Sequence, residues 1–180
     1  MPKFNIREYQ PNDYAEVCRI HDVSRKEELT IGGAEKYFIP LETAPYKDDF
    51  FSCKIYVAYD ADSILGFVAV HPQELDYIYV DPIHQNKGIG YALATTALRY
   101  MSRPVSLDVF AENTKAKKLY KKLGFKCQEV RYQQWDLNDP KKYSDEKMMA
   151  LCQIVLIEVN YNLIIGLSIK LLCTSLMLFL

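Results

Sequence analysis

Gln85-Asn86-Lys87-Gly88-Ile89-Gly90-Tyr91-Ala92 is the stretch that decides how this chain folds. Before it runs Leu75-Asp76-Tyr77-Ile78-Tyr79-Val80, rich in aromatic and β-branched residues, which reads as a strand. Asp81-Pro82 ends that run, because proline cannot continue a central ladder. After the stretch, Ile89, Leu93, Ala97 and Met101 fall on one face at helical spacing, which predicts a helix from about Ile89 to Met101. The turn between them holds two glycines, so its backbone can approach a ligand with no Cβ in the way. Its N–H groups, and those of the first helical turn, have no intrachain acceptor. They form a ready anion site, suited to a pyrophosphate. A tight turn with no ligand is the plain alternative.

Two nucleotide folds share this outline, and both fit poorly. A dinucleotide fingerprint wants Gly or Ala where this chain has Leu93, and a P-loop wants Gly-Lys-Ser/Thr, which is absent. What remains is Gln85-x-x-Gly88-x-Gly90 after Val80-Asp81-Pro82.

Outward from the turn, 53–59 and 64–71 read as strands joined at Asp60-Ala61-Asp62-Ser63, with 74–80 as a third antiparallel neighbour. Phe4-Asn5-Ile6-Arg7 predicts a first strand, and Gln10-Pro11-Asn12-Asp13 a turn and helix cap. A helix follows through Tyr14, Val17, Cys18 and His21. Residues 22–49 have the weakest pattern: the end of that helix, a break near Gly32-Gly33 and a short helix around 34–38. Their aromatics and acids fit packing and solvated surface, or the lining of an acceptor pocket. Beyond Arg103-Pro104, 105–110 alternates as a strand. Asn113 then caps a helix that ends at Gly124, its lysines on a solvated face. Residues 125–137 and 147–152 alternate again. The fold class is therefore α/β (α+β layered), with a mixed, largely antiparallel central sheet flanked by helices.

Composition sets outer limits. The 180 residues suit one domain, and 22 Lys and Arg against 23 Asp and Glu give no basic excess for nucleic acid. The cysteines (Cys18, Cys53, Cys127, Cys152, Cys173) form no CxxC pair, so buried, reduced thiols of a cytoplasmic protein are expected, with no metal. The N-terminus carries no apolar signal-like run.

Two motifs in this order, Tyr79-Val80-Asp81-Pro82 with Gln85-x-x-Gly88-x-Gly90, then Asn113-x-x-Ala116-x-x-Leu119-Tyr120 ending in Gly124-Phe125, resemble the GNAT (GCN5-related N-acetyltransferase) family over roughly 3–153. The resemblance is to N-acetyltransferases acting on small amines and protein N-termini. It implies acetyl-CoA as co-substrate and an amine acceptor. The backbone of Ile78, Tyr79 and Val80 would pair with the pantetheine arm. Amides of Gln85, Asn86, Lys87, Gly88, Ile89 and Gly90, with Tyr91 and Ala92, would hold the pyrophosphate. Asn113 would meet the cofactor edge, and Tyr120 would act as general acid near the sulfur. For the base, Glu74 matches a frequent family position, with Asp76 and His71 as alternatives and a water relay open.

The chemistry agrees. A lysine-like amine with a pKa of ~10.4 is only about one part in 2,500 neutral at pH 7, so a base must take its proton. An oxyanion donor is needed, for which the Val80 N–H is the candidate, and a phenol can protonate the departing thiolate. No covalent intermediate is required, so Cys127 reads as a packed strand thiol. Tyr120 has a plain reading as core. The rival function is a catalytically silent CoA-binding regulatory or scaffolding domain, membrane-tethered or not.

Residues 154–180 depart from the resemblance as an apolar extension. Leu163 to Leu180 carries one charge, Lys170. As a helix this run would span roughly 27 Å, near the lower limit for a bilayer core. Its Leu, Ile and Phe residues contribute about −3 to −7 kcal/mol toward insertion, against about +2.5 to +3.5 for the lysine. Membrane association through 163–180, a helix packed on the domain, a subunit contact and an extension without a role all stay open.

Overall fold

The computed structural model describes residues 4–61 and 63–151. The apolar extension lies outside the described residues. Among the described residues no helix is long and apolar enough to cross a membrane.

Seven strands form one sheet: β1 (Asn5–Glu8), β2 (Lys54–Tyr59), β3 (Ile64–His71), β4 (Glu74–Val80), β5 (Val105–Phe110), β6 (Lys126–Gln134) and β7 (Lys142–Ala150). Their spatial order is β1-β2-β3-β4-β5-β7-β6. Every pairing is antiparallel except β4 with β5. Among the described residues there are four α-helices: α1 (Tyr14–Ile31), α2 (Lys47–Ser52), α3 (Ile89–Leu98) and α4 (Thr114–Lys122).

The sheet has an apolar cluster on each face. On one, Val68, Val70 and Leu75 meet Ile89, Leu93 and Ala97 of α3 and Tyr120 and Leu123 from the α4 region. On the other, Val57, Phe67 and Ala69 meet Val17 and Ile20 of α1 and Phe50 of α2. Phe50 and Phe67 are fully buried, and each such ring contributes about 1.5–3 kcal/mol. Arg7 on β1 grips Asp13 at the start of α1 with two bonds, of 2.6 and 2.8 Å, which sets how the helix leaves the sheet.

Several elements depart from the pattern-based expectation. Helix α1 does not: it ends at Ile31 with Gly32 as its C-cap, at the break expected near Gly32-Gly33. The helix expected at 34–38 is a single 3-10 turn, Glu35–Tyr37, and α2 follows where none was expected. Helix α3 stops at Leu98 rather than Met101. Strand β7 begins at Lys142, not 147, because its polar residues find partners across the sheet. Asp145 pairs with Arg131, Glu146 with Lys117 at 2.6 Å, and Ser144 with Glu112 at 2.7 Å. Lys117 is thus half-buried rather than on a solvated face. Cys127 is exposed, not packed, because β6 is an edge strand open on both sides.

A β-bulge interrupts β4. Ala69 faces Tyr77 and Val70 faces Leu75, so Asp76 is the extra residue. The packing shows the flip. Leu75, Ile78 and Val80 belong to one face, and Tyr77 and Tyr79 to the other. Strict alternation fails just after Asp76, where two residues instead of one separate the inward-facing Leu75 and Ile78.

Candidate active site

Strands β4 and β5 are in register at Glu74↔Ser106, beside a bond from the Ser106 N–H to the Gln73 carbonyl. Beyond that pair a cavity of about 530 Å³ lies between them. Asp76–Val80 line one side, Asp108 the other, and the glycine turn with the start of α3 closes one end.

The hydrogen-bond pattern fixes which way the β4 backbone points. The Asp81 N–H donates to the Leu65 carbonyl of β3 at 2.9 Å. Successive residues alternate sides, so the N–H groups of Ile78 and Val80 face the cavity. The Val80 carbonyl faces the same way and accepts from the Gln85 side-chain amide at 3.3 Å. The middle of this sheet thus offers a strand edge, a template for an extended amide-bearing ligand.

The turn is shaped for an anion. Asn86 and Gly88 have φ of 63° and 83°. Gly88 is the N-cap of α3, and a Cβ built there would meet nothing within 4 Å. The Ala92 N–H closes the first helical bond onto the Gly88 carbonyl at 3.1 Å, so the amides just ahead of it carry no helical bond, whereas the Gln85 N–H is already donated to the Pro82 carbonyl at 3.4 Å. Gln85 braces this end: it donates to Glu27 of α1 at 3.1 Å and accepts from Lys115 of α4.

Tyr120 is 7% exposed and lines the cavity with Leu119. Burial, and secondarily Glu28, push its phenol well above the usual range, so it stays protonated and able to donate. Asn113 caps α4 by accepting from the Ala116 N–H at 3.0 Å, and it also borders the cavity. Glu74 lies at the opposite end from the turn, with its pKa raised by burial and then by Asp76 and Asp108.

The cavity therefore brings together Glu74, Ile78, Tyr79, Val80, Gln85, Asn86, Gly88, Ile89, Gly90, Tyr91, Asn113 and Tyr120. Lys87 is not part of the lining; its ammonium sits 3.3 Å from His84. The two alternative bases are paired with each other, Asp76 from the cavity wall. Asp76 lies 3.1 Å from the His71 Nδ1 and accepts the His71 backbone N–H at 3.0 Å. The Cys53 thiol beside them is pushed up to about 12 by burial and then by Asp76 and Asp49.

Helix α1 supplies residues that the sequence reading missed. Ser24, Arg25, Glu27, Glu28 and Ile31 all line the cavity. The Tyr79 hydroxyl donates to Glu28 at 2.5 Å and Arg25 pairs with the same carboxylate at 2.7 Å, so a polar wall is held rigid. The missed signal is a stripe of Val17, His21, Ser24, Glu28 and Ile31, one helical face that turns polar where it meets the cavity.

Comparison with known proteins fits this geometry. The model of the acetyltransferase (GNAT) family matches residues 19–125. An uncharacterized N-acetyltransferase of Methanocaldococcus jannaschii is 36% identical over 94 residues, 47% of this chain and 42% of that protein. Mycothiol acetyltransferase of Mycolicibacterium gilvum is 31% identical over 133 residues, 64% of this chain and 43% of that protein. The chain thus spans less than half the length of these two relatives. The crystal structure of spermidine N-acetyltransferase from Vibrio cholerae, in complex with CoA and spermine, superposes with a TM-score of 0.62 at 20% identity, covering 84% of this chain and 96% of that one. A glycine turn feeding α3, a strand edge open beside it and a family match across both together establish that the chain belongs to the acetyltransferase (GNAT) family.

Proposed function

We propose that the protein transfers the acetyl group of acetyl-CoA directly to a primary amine. The observation that carries this reading is the open edge of β4 leading into the glycine turn, with Tyr120 on the wall of the same cavity. The edge suits the amides of a pantetheine arm, and the turn suits its diphosphate. The N–H groups of Ile78 and Val80 are the two candidate donors to the tetrahedral oxyanion. Tyr120, held protonated, gives its proton to the departing thiolate. Glu74 starts four residues before Ile78, roughly 13 Å along the strand, so it takes the amine proton through water.

The lining also bears on the acceptor. Glu27, Glu28, Glu74, Asp76 and Asp108 border the cavity against Arg25 and Lys115. That balance favours an acceptor with more than one positive charge, a polyamine or a basic peptide, over a neutral small amine. The structural neighbour from Vibrio cholerae, which holds spermine with CoA, is consistent with such a choice for this fold.

The test is release of free CoA thiol from acetyl-CoA across a panel of spermidine, lysine-containing peptides, peptide α-amines and small neutral amines. Turnover with the cationic acceptors is expected, and Tyr120→Phe should lower kcat by about 10²-fold or more. CoA binding with no thiol release on any amine would instead favour a silent regulatory domain. A Tyr120→Phe variant with full rate would remove the acid assignment.

A further inference from the structure

Cys53, His71 and Asp76 come from three separate places in the sequence, and the sheet gathers them. Cys53 directly precedes β2, His71 ends β3, and Asp76 is the bulged residue of β4. Lys54 pairs with Val70, which sets Cys53 beside His71 at the end of that ladder. The Cys53 Sγ lies 3.6 Å from the His71 Nδ1, which lies 3.1 Å from an Asp76 carboxylate oxygen. One ligand atom from each residue falls within 4.8 Å of the others.

A tetrahedral zinc ion holds nitrogen and sulfur ligands about 3.6 Å apart and nitrogen and oxygen ligands roughly 3.3 Å apart, given bonds of about 2.0–2.3 Å. Both spacings are nearly in place. We propose that Cys53, His71 and Asp76 form a site for a thiophilic divalent metal ion, with Zn²⁺ the ion their chemistry matches.

A sulfur, an imidazole nitrogen and a carboxylate suit zinc, whereas magnesium and calcium take oxygen alone. With Nδ1 on the metal, Nε2 carries the proton and faces the Ser52 hydroxyl at 3.5 Å, with an Asp49 oxygen farther out at 4.0 Å. The Asp76 carboxylate is likewise oriented by the His71 backbone N–H. The bulge explains how this carboxylate reaches the ring, since an extra residue re-aims its side chain. Binding displaces the thiol proton, so one proton is released as the sulfur–metal bond forms. Three protein ligands leave a fourth position, and Asp76 also borders the cavity, so the ion would sit near its Glu74 end. The site stands independently of the acetyltransferase reading.

The experiment uses the full, reduced chain, stripped of metal and titrated with Co²⁺. Expected are the near-ultraviolet thiolate-to-cobalt band, the visible bands of a four-coordinate ion, and displacement of both by about one equivalent of Zn²⁺. Cys53→Ser should abolish the thiolate band, and His71→Gln should weaken affinity by more than about tenfold. Cys127→Ser should change nothing. Circular dichroism checks that each variant is folded, and His71→Gln carries the test if Cys53→Ser is not. A folded wild-type chain with no cobalt spectrum would overturn the site. So would a thiolate band that survives Cys53→Ser, which would mark adventitious binding by another cysteine.

Discussion

Gly88 and His21 show what single residues contribute. Gly88 holds a left-handed φ of 83° with open space where a Cβ would stand. Gly88→Ala therefore meets no atom of the described residues, but it strains the backbone by about 1–2 kcal/mol and puts a methyl into the anion cradle. The expected outcome is a folded protein with a raised KM for acetyl-CoA and a kcat changed much less, read from initial rates. His21 is fully buried among Tyr46, Phe50, Tyr77 and Tyr79. Its Nδ1 lies 2.9 Å from Asp22, and its Nε2 has no partner among the described residues. Burial lowers its pKa, with the Asp22 bond opposing. A lowered folded pKa means the unfolded chain binds the proton first as pH falls below about 6.5. Stability should then be lost by up to about 1.4 kcal/mol per pH unit until the folded pKa is reached. Urea titrations between pH 7 and 5 should show this slope, and His21→Phe should flatten it.

At the scale of elements, the strand–turn–helix from Glu74 to Leu98 was legible because its residues obey local rules: proline ends the strand, glycine opens the turn, and a four-residue spacing marks the helix. The cap at Asn113 and the left-handed Gly124 were legible for the same reason. Three things were not. The polar half of α1 has no apolar stripe, since its inner face lines a cavity instead of a core. The start of β7 reads as loop because its charges are paired by Arg131 and Lys117, residues remote in sequence. The bulge at Asp76 is a property of two strands together, so no single-strand pattern reveals it. A contact of the same two-strand kind gives a prediction. A Cβ at Gly66 of β3 would fall 2.6 Å from the Tyr79 carbonyl and 3.0 Å from the Val80 Cα, both main chain. Gly66→Ala should cost about 1–3 kcal/mol in urea unfolding, and calorimetry should show weaker CoA binding, because β4 must shift.

Across the whole molecule, the open cavity parts β1 to β4 from β5, β7 and β6, while α3 and the surrounding core tie the two parts together. A pantetheine arm laid on β4 would supply partners to amides that now face the cavity. Hydrogen exchange should report this residue by residue: saturating CoA should slow the Ile78 and Val80 amides markedly. Tyr79 and Asp81, which face β3, should change little. Equal protection of all four would indicate general stiffening rather than strand addition. Ligand at about 100 times its Kd should also add about 2.7 kcal/mol of stability.

The exposed margin of β4 has an evolutionary corollary. Main-chain donors and acceptors are the same whatever side chains flank them, so the grip on the donor molecule can persist while β4 drifts in composition. It also senses nothing of the acyl group carried on the sulfur. With the donor placed as proposed, choosing acetyl over a bulkier acyl chain falls to the walls beyond that margin, and Leu119, which lines the cavity beside Tyr120, is the position where a change in acyl-length preference would first be selected.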